Sequence, residues 1–154
     1  MLRGTKYFDE NWLLSGCGDR KTVHFTDFID AAIFVKENEL ANKIAVCAHN
    51  PSGSLTALAS ILEEPFLFEG AAVHNPICDL VNHLLVDDLS VINREFGNIR
   101  HSQAVYDRVQ RYSPYHMYMG DKPVTDLLIS VDEELGHQRY HARKLTAKLR
   151  DIFH

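Results

Sequence analysis

Ser52 lies in a turn between a strand-like run and a helical pattern, and a serine so placed is a candidate nucleophile. The run Ile44-Ala45-Val46-Cys47-Ala48 is short, apolar and β-rich; His49 to Ser54 are small or polar; an Ala/Leu helical pattern then runs to Pro65. A tight turn of this kind lifts a hydroxyl above a sheet edge. Attack on a carbonyl further needs a base within hydrogen-bonding reach and an acid to orient that base. His49 and His74, at the ends of two strand-like runs, are the candidate bases. Asp132 and Glu134, just after a third such run, are the candidate acids. A plainer reading competes: Ser52 or Ser54 caps the helix that starts there, and His49 is a hydrogen-bonded turn residue.

Two further groups have spacing that chemistry can use. His137 and His141 stand four apart on one helical face, the separation that zinc sites employ, with Glu133 or Glu134 as an oxygen donor. Gln138 replaces the glutamate that a zinc-peptidase helix needs. Acids beside a helix N-terminus, set against its dipole, explain the same residues without a metal. Arg139, Arg143, Lys144, Lys148 and Arg150 make the last helix basic, which reads as a solvated face or a docking face for an acidic partner. No aromatic interleaving marks it as a nucleic-acid platform.

The elements that must hold these residues follow from pattern. A chain of 154 residues, 45% hydrophobic and 24% charged, is about one soluble globular domain. A net charge of -5 gives no electrostatic reason to expect nucleic acid or an anionic membrane. No run approaches the roughly 18 apolar residues of a membrane span, and no apolar leader follows Arg3 and Lys6. The three cysteines, Cys17, Cys47 and Cys78, lack CxxC spacing; Cys47 and Cys78 lie in or beside apolar runs and read as buried free thiols. A reducing compartment, the cytoplasm, is expected.

Residues 1–24 carry Gly4, Gly16 and Gly18 and no helical period, so an irregular N-terminal segment docked by Trp12 and Leu13 is expected ahead of a domain over 25–154. Phe28, Ile29, Ala32 and Ile33 recur at helical spacing, with Thr26 as N-cap and an end near Leu40. Gly70 to Asn75 forms a second strand and Val124 to Val131 a third. Short helices are expected near 78–85, 87–95 and 102–111, and a basic one over 137–152. Strand, helix, strand, helices, strand, helix implies an α/β fold with three parallel strands and helices on both faces.

A family resemblance rests on several pieces in order. Arg3-Gly4, Phe25 to Ala32, Ala45 to Ser54, Pro65 to Ala72, Glu95 to Gly97, Tyr112 to His116 and Leu127 to Asp132 resemble the catalytic domain of the prolyl oligopeptidase family of serine peptidases, an α/β-hydrolase fold. The resemblance implies a partial α/β-hydrolase sheet, and the departures imply degeneracy. The family elbow resembles G-G-S-x-G-G, whereas this chain reads His49-Asn50-Pro51-Ser52-Gly53-Ser54. Counting from Lys43 puts Asn50 in the nucleophile's place, counting from Pro65 puts Pro51 there, and only a longer turn puts Ser52 there. Glu134 falls at the family's acid, Gly136 at its substrate-holding arginine and Ile92 at its proline-stacking tryptophan. The tyrosine of the oxyanion hole would lie before Met1, and the catalytic histidine beyond His154.

These departures lead to the expectation of a truncated, hydrolase-derived interaction module. It uses no cofactor and touches neither nucleic acid nor membrane; it self-associates or binds a protein that completes its sheet edges. A serine peptidase or acyl hydrolase whose site is completed from outside is the alternative.

Overall fold

The computed structural model describes residues 1–86, 90–120, 122–134 and 139–152. Three strands form one parallel sheet in the order β1 (Ala45–Ala48), β2 (Gly70–His74), β3 (Asp126–Ser130). The helices are α1 (Glu10–Leu14), α2 (Lys21–Glu37), α3 (Pro51–Glu63), α4 (Leu80–Val86), α5 (Ser90–Phe96), α6 (Gln103–Tyr112), α7 (Pro114–Met117) and α8 (Arg139–Ile152). All three strands fall on the apolar runs, and the sheet with helices around it is the expected partial α/β fold.

The N-terminal third departs from expectation. Residues 10–14 are helical, a 3₁₀ turn covers Gly18–Arg20, and α2 begins at Lys21 rather than after Thr26. Thr26 does not cap it: its hydroxyl donates back to the carbonyl of Thr22 at 3.1 Å, within the helix. Local pattern understates this region because long-range contacts hold it. Arg3 makes a bidentate pair with Asp27 on α2. The Trp12 indole N–H donates to the Leu2 carbonyl at 3.0 Å. At Gly16 the chain passes so close to Arg3 that an added Cβ would lie 2.5 Å from its carbonyl carbon.

Helix α3 is the shared wall of two apolar clusters, and every residue from Ser54 to Leu62 is buried. Ala57, Leu58, Ile61 and Leu62 pack with Val46, Ala71, Val73 and Leu145. Leu55 and Ala59 pack with Phe25, Leu80, Leu84, Val109 and Tyr112. Leu58 is fully inaccessible, so truncating it to alanine costs about 2–5 kcal/mol through lost transfer energy and the cavity left behind.

Helical cover of the sheet is uneven. The register sets Val46, Ala71 and Leu127 in one row and Ala48, Val73 and Ile129 in another, and all six belong to the cluster that includes α3 and the Leu145 and Leu149 side chains of α8. On the opposite face, Cys47, Ala72 and Leu128 form a row in which Cys47 is exposed and Leu128 is 67% exposed. Cover is thus thinner over this row, and Cys47 is not the buried thiol its apolar setting suggests. Parallel sheets are ordinarily covered twice.

Candidate functional site

The turn after β1 is built by Asn50. Its backbone is extended (φ −119°, ψ 166°), and its side-chain oxygen accepts the Gly53 N–H at 2.7 Å, capping α3 ahead of Pro51 at the first helical position. The expected serine cap is therefore an asparagine cap. Ser52 is already inside the first turn of α3 and exposed. Ser54 is fully buried and donates to the His74 carbonyl at 2.9 Å, which ties α3 to the end of β2. Left-handed backbone outside glycine occurs, among the described residues, at Glu39 and Asn75 and not in this turn. Ser52 does lie on the wall of a groove of about 550 Å³, shared with Leu2, His24, Phe28, Cys47 and His49.

The polar residues that do converge sit one and two strands away, at the C-terminal ends of β2 and β3. His74 and Ser130 are register partners. The His74 Nδ1 is 2.9 Å from the Ser130 hydroxyl, and its Nε2 is 3.3 Å from a carboxylate oxygen of Asp132. Asp132 is itself held twice by Asn75: the amide of Asn75 donates to its other oxygen, and its own N–H donates to the Asn75 side-chain oxygen, both at 2.9 Å. Asn75 adopts φ 51°, a left-handed conformation that asparagine tolerates. The His49 ring centroid is 6.4 Å from that of His74.

Of the residues singled out in the sequence, the structure thus joins His74 to Asp132 but to a different serine. Ser130 was missed because nothing in its own neighbourhood marks it; only the register of two distant strands puts it beside His74. Glu134 is exposed. His137 lies outside the described residues. His141, on α8, is 1% exposed and accepts the Asp79 N–H through Nδ1 at 3.1 Å. Among the described residues, no three His, Cys, Asp or Glu side chains are placed to hold a metal ion.

The basic helix is not simply a solvated face. Lys144 pairs with the buried carboxylate of Asp79, and Lys148 donates to the Tyr115 carbonyl at 2.6 Å. Burial pushes the Cys78 thiol up to about 12, so it is inert as a nucleophile near neutrality. No helix among the described residues is long and apolar enough to cross a membrane.

Comparison with known proteins places these features. The model of the prolyl oligopeptidase family matches residues 1–151. Prolyl oligopeptidase B from Galerina marginata superposes with a TM-score of 0.86 at 27% identity, over 98% of this chain and 22% of that one. A prolyl endopeptidase structure superposes with a TM-score of 0.85 at 24% identity, over 96% and 22%, a likeness of fold. The chain therefore spans about a fifth of the length of these solved relatives. No curated protein sequence matches it.

Proposed function

Because this chain belongs to the prolyl oligopeptidase family, we propose that it is a hydrolase-derived scaffold whose elbow no longer supplies a nucleophile and whose role is association with a second copy or another protein. The observation that carries this reading is Asn50. It stands where the family presents its serine when the turn is counted from the strand, and its side chain is consumed in capping α3. An amide cannot attack a carbonyl, and the backbone there is relaxed rather than strained.

The association half rests on the sheet. Among the described residues the order β1-β2-β3 leaves an edge on both outer strands, and a cleft of about 580 Å³ runs along β3 from Val124 to Ile129, walled by Thr146, Leu149 and Arg150 of α8. An exposed edge beside a cleft of mixed polar and apolar lining suits an added strand, with main-chain hydrogen bonds giving affinity and the cleft taking alternate side chains. Leu128, 67% exposed in the more thinly covered row, adds apolar surface next to it.

The second reading is a serine peptidase or acyl hydrolase whose site is completed from outside; the exposure of Ser52 on its groove favours it. A fluorophosphonate probe and sedimentation analysis separate the two. The scaffold reading expects no adduct on Ser52 and a self-associated or partner-bound state that Leu128→Lys weakens. Covalent labelling of Ser52, lost in Ser52→Ala, would overturn it in favour of the hydrolase.

A further inference from the structure

We propose that Ser130, His74 and Asp132 form a serine relay independent of the elbow, one that makes the Ser130 hydroxyl nucleophilic toward small activated acyl and phosphoryl esters. The relay gives these contacts a direction of proton flow, in competition with the Val73 carbonyl, which accepts the Ser130 hydroxyl at 3.5 Å. The His74 Nε2 stands 3.3 Å from an oxygen of Asp132, an ion-pair separation, and in the relay this nitrogen carries the proton because an ionised carboxylate attracts it. That leaves Nδ1 bare, and Nδ1 is the nitrogen 2.9 Å from the Ser130 oxygen. Asp132 does not swing freely, because both its carboxylate and its backbone N–H are bound to Asn75. Nucleophile, base and orienting acid thus stand in the order that activates serine on unrelated folds.

Location agrees with this role. The three residues lie at the C-terminal ends of two adjacent parallel strands, the edge at which open α/β sheets receive ligands. His74 is 35% exposed, Asp132 56%, and Ser130 is exposed, so the hydroxyl is reachable and the setting suits small esters rather than folded protein. In the reaction the Ser130 oxygen bonds to the acyl carbon as its proton passes to His74 Nδ1. The carbon–oxygen bond to the leaving alcohol breaks, and the alcohol departs with that proton. Water then attacks the acyl carbon, gives a proton to His74, and the proton returns to Ser130 as the acyl bond breaks. A fluorophosphonate stops at the first stage, with the oxygen–phosphorus bond formed and fluoride expelled.

A clamp that merely joins β2 to β3 would use the same contacts without activating the serine, and reactivity separates the two roles. The intact protein is treated with a fluorophosphonate probe, digested with trypsin and mapped; Ser52 falls in the peptide ending at Arg94 and Ser130 in the one ending at Arg139. The expected result is an adduct on Ser130 that disappears in Ser130→Ala. His74→Gln slows labelling by at least about a hundredfold, the lower end of what a positioned base supplies. Asp132→Asn slows it less, at an unchanged urea midpoint, as a positioning residue would. Ser52→Ala labels like the parent. Labelling of Ser130 that ignores His74→Gln overturns the relay, and so does its absence; because His74→Gln reports on the parent serine, a poorly folded Ser130→Ala does not shelter the proposal. An adduct on Ser52 alone overturns the scaffold reading as well, whereas no adduct anywhere overturns only this one.

Discussion

Asp79, at the entry to α4, and Lys144, on α8, meet in an ion pair whose acid is 1% exposed and whose base is 42% exposed. The pair closes the end of the molecule where α4, α7 and α8 converge. His116 of α7 lies 3.8 Å from the other carboxylate oxygen, the Asn82 N–H donates to it at 3.0 Å, and Lys144 stands 4.2 Å over the Tyr115 ring. Burial alone would raise the Asp79 pKa. The hydrogen bond from Lys144, the one from Asn82 and the Lys144 charge outweigh it and hold the carboxyl below its usual range.

That balance predicts the effect of removing the lysine. Lys144→Met leaves a buried carboxylate with fewer donors and destabilises the fold by about 1–3 kcal/mol near neutrality, the cost of an unsatisfied buried group. The sign with pH follows from a depressed folded pKa. The stabilisation is present above the unfolded value of about 3.9 and is lost as pH falls through the folded one. Urea titrations of parent and Lys144→Met should therefore differ most near pH 7 and converge below about pH 4. An undiminished gap in acid would mean that Lys144 contributes by packing on Tyr115 instead.

The turn after β1 offers a second test, through stability. Asn50→Ala removes the cap of a 13-residue helix whose inner face is wholly buried, and is expected to cost about 1 kcal/mol. Ser54→Ala removes a buried donor to the His74 carbonyl and is expected to cost a similar amount, about 1 kcal/mol. Ser52→Ala, at an exposed position, should stay within about 0.5 kcal/mol of the parent. Thermal or urea unfolding of the three variants gives the ranking. A large loss in Ser52→Ala would assign the turn to a serine cap after all.

What the sequence made legible divides along the range of the interactions. The three strands were legible because each is a short apolar run bounded by Pro, Gly or polar residues, and their parallel order follows from the helices between them. The start of α2 was not. Lys21 and His24 look like surface residues, yet they are 1% and 6% exposed, because Lys21 pairs with Glu95 and sits 5.0 Å over the Phe96 ring while His24 is clasped by Arg3 and Thr56. Those partners lie in other elements, and no local period reports them. The site divides the same way: Asp132 and His74 carry chemistry wherever they stand, but Ser130 becomes interesting only through the β2–β3 register. Asn50 was legible as one of three residues, with Pro51 and Ser52, that could fall in the nucleophile's place, while its capping role needed the backbone angles.

His24 carries the last prediction, a pH dependence of the N-terminal clasp. The Arg3 carbonyl can only accept, so the His24 Nδ1–H donates to it, at 2.6 Å, while Nε2 lies 3.1 Å from the Thr56 hydroxyl on α3. Burial lowers the pKa of this ring, the nearby Lys21 lowers it further, and the Arg3 carbonyl, Glu95 and Asp27 oppose without prevailing. With the folded value below the unfolded one of about 6.5, the unfolded chain takes up the proton first. The contribution of His24 is therefore complete above that pH and declines as pH falls beneath it. His116, lowered chiefly by burial, adds a decline of the same sign. His24→Gln keeps a donor and an acceptor but cannot titrate. It should lose about 1 kcal/mol near pH 7 through poorer hydrogen bonds, yet its urea midpoint should fall less than the parent's between about pH 7 and pH 5. Because His116 is common to both proteins, the difference in slope isolates His24. Parallel slopes would mean that this imidazole holds Arg3 and Thr56 equally well with its second proton.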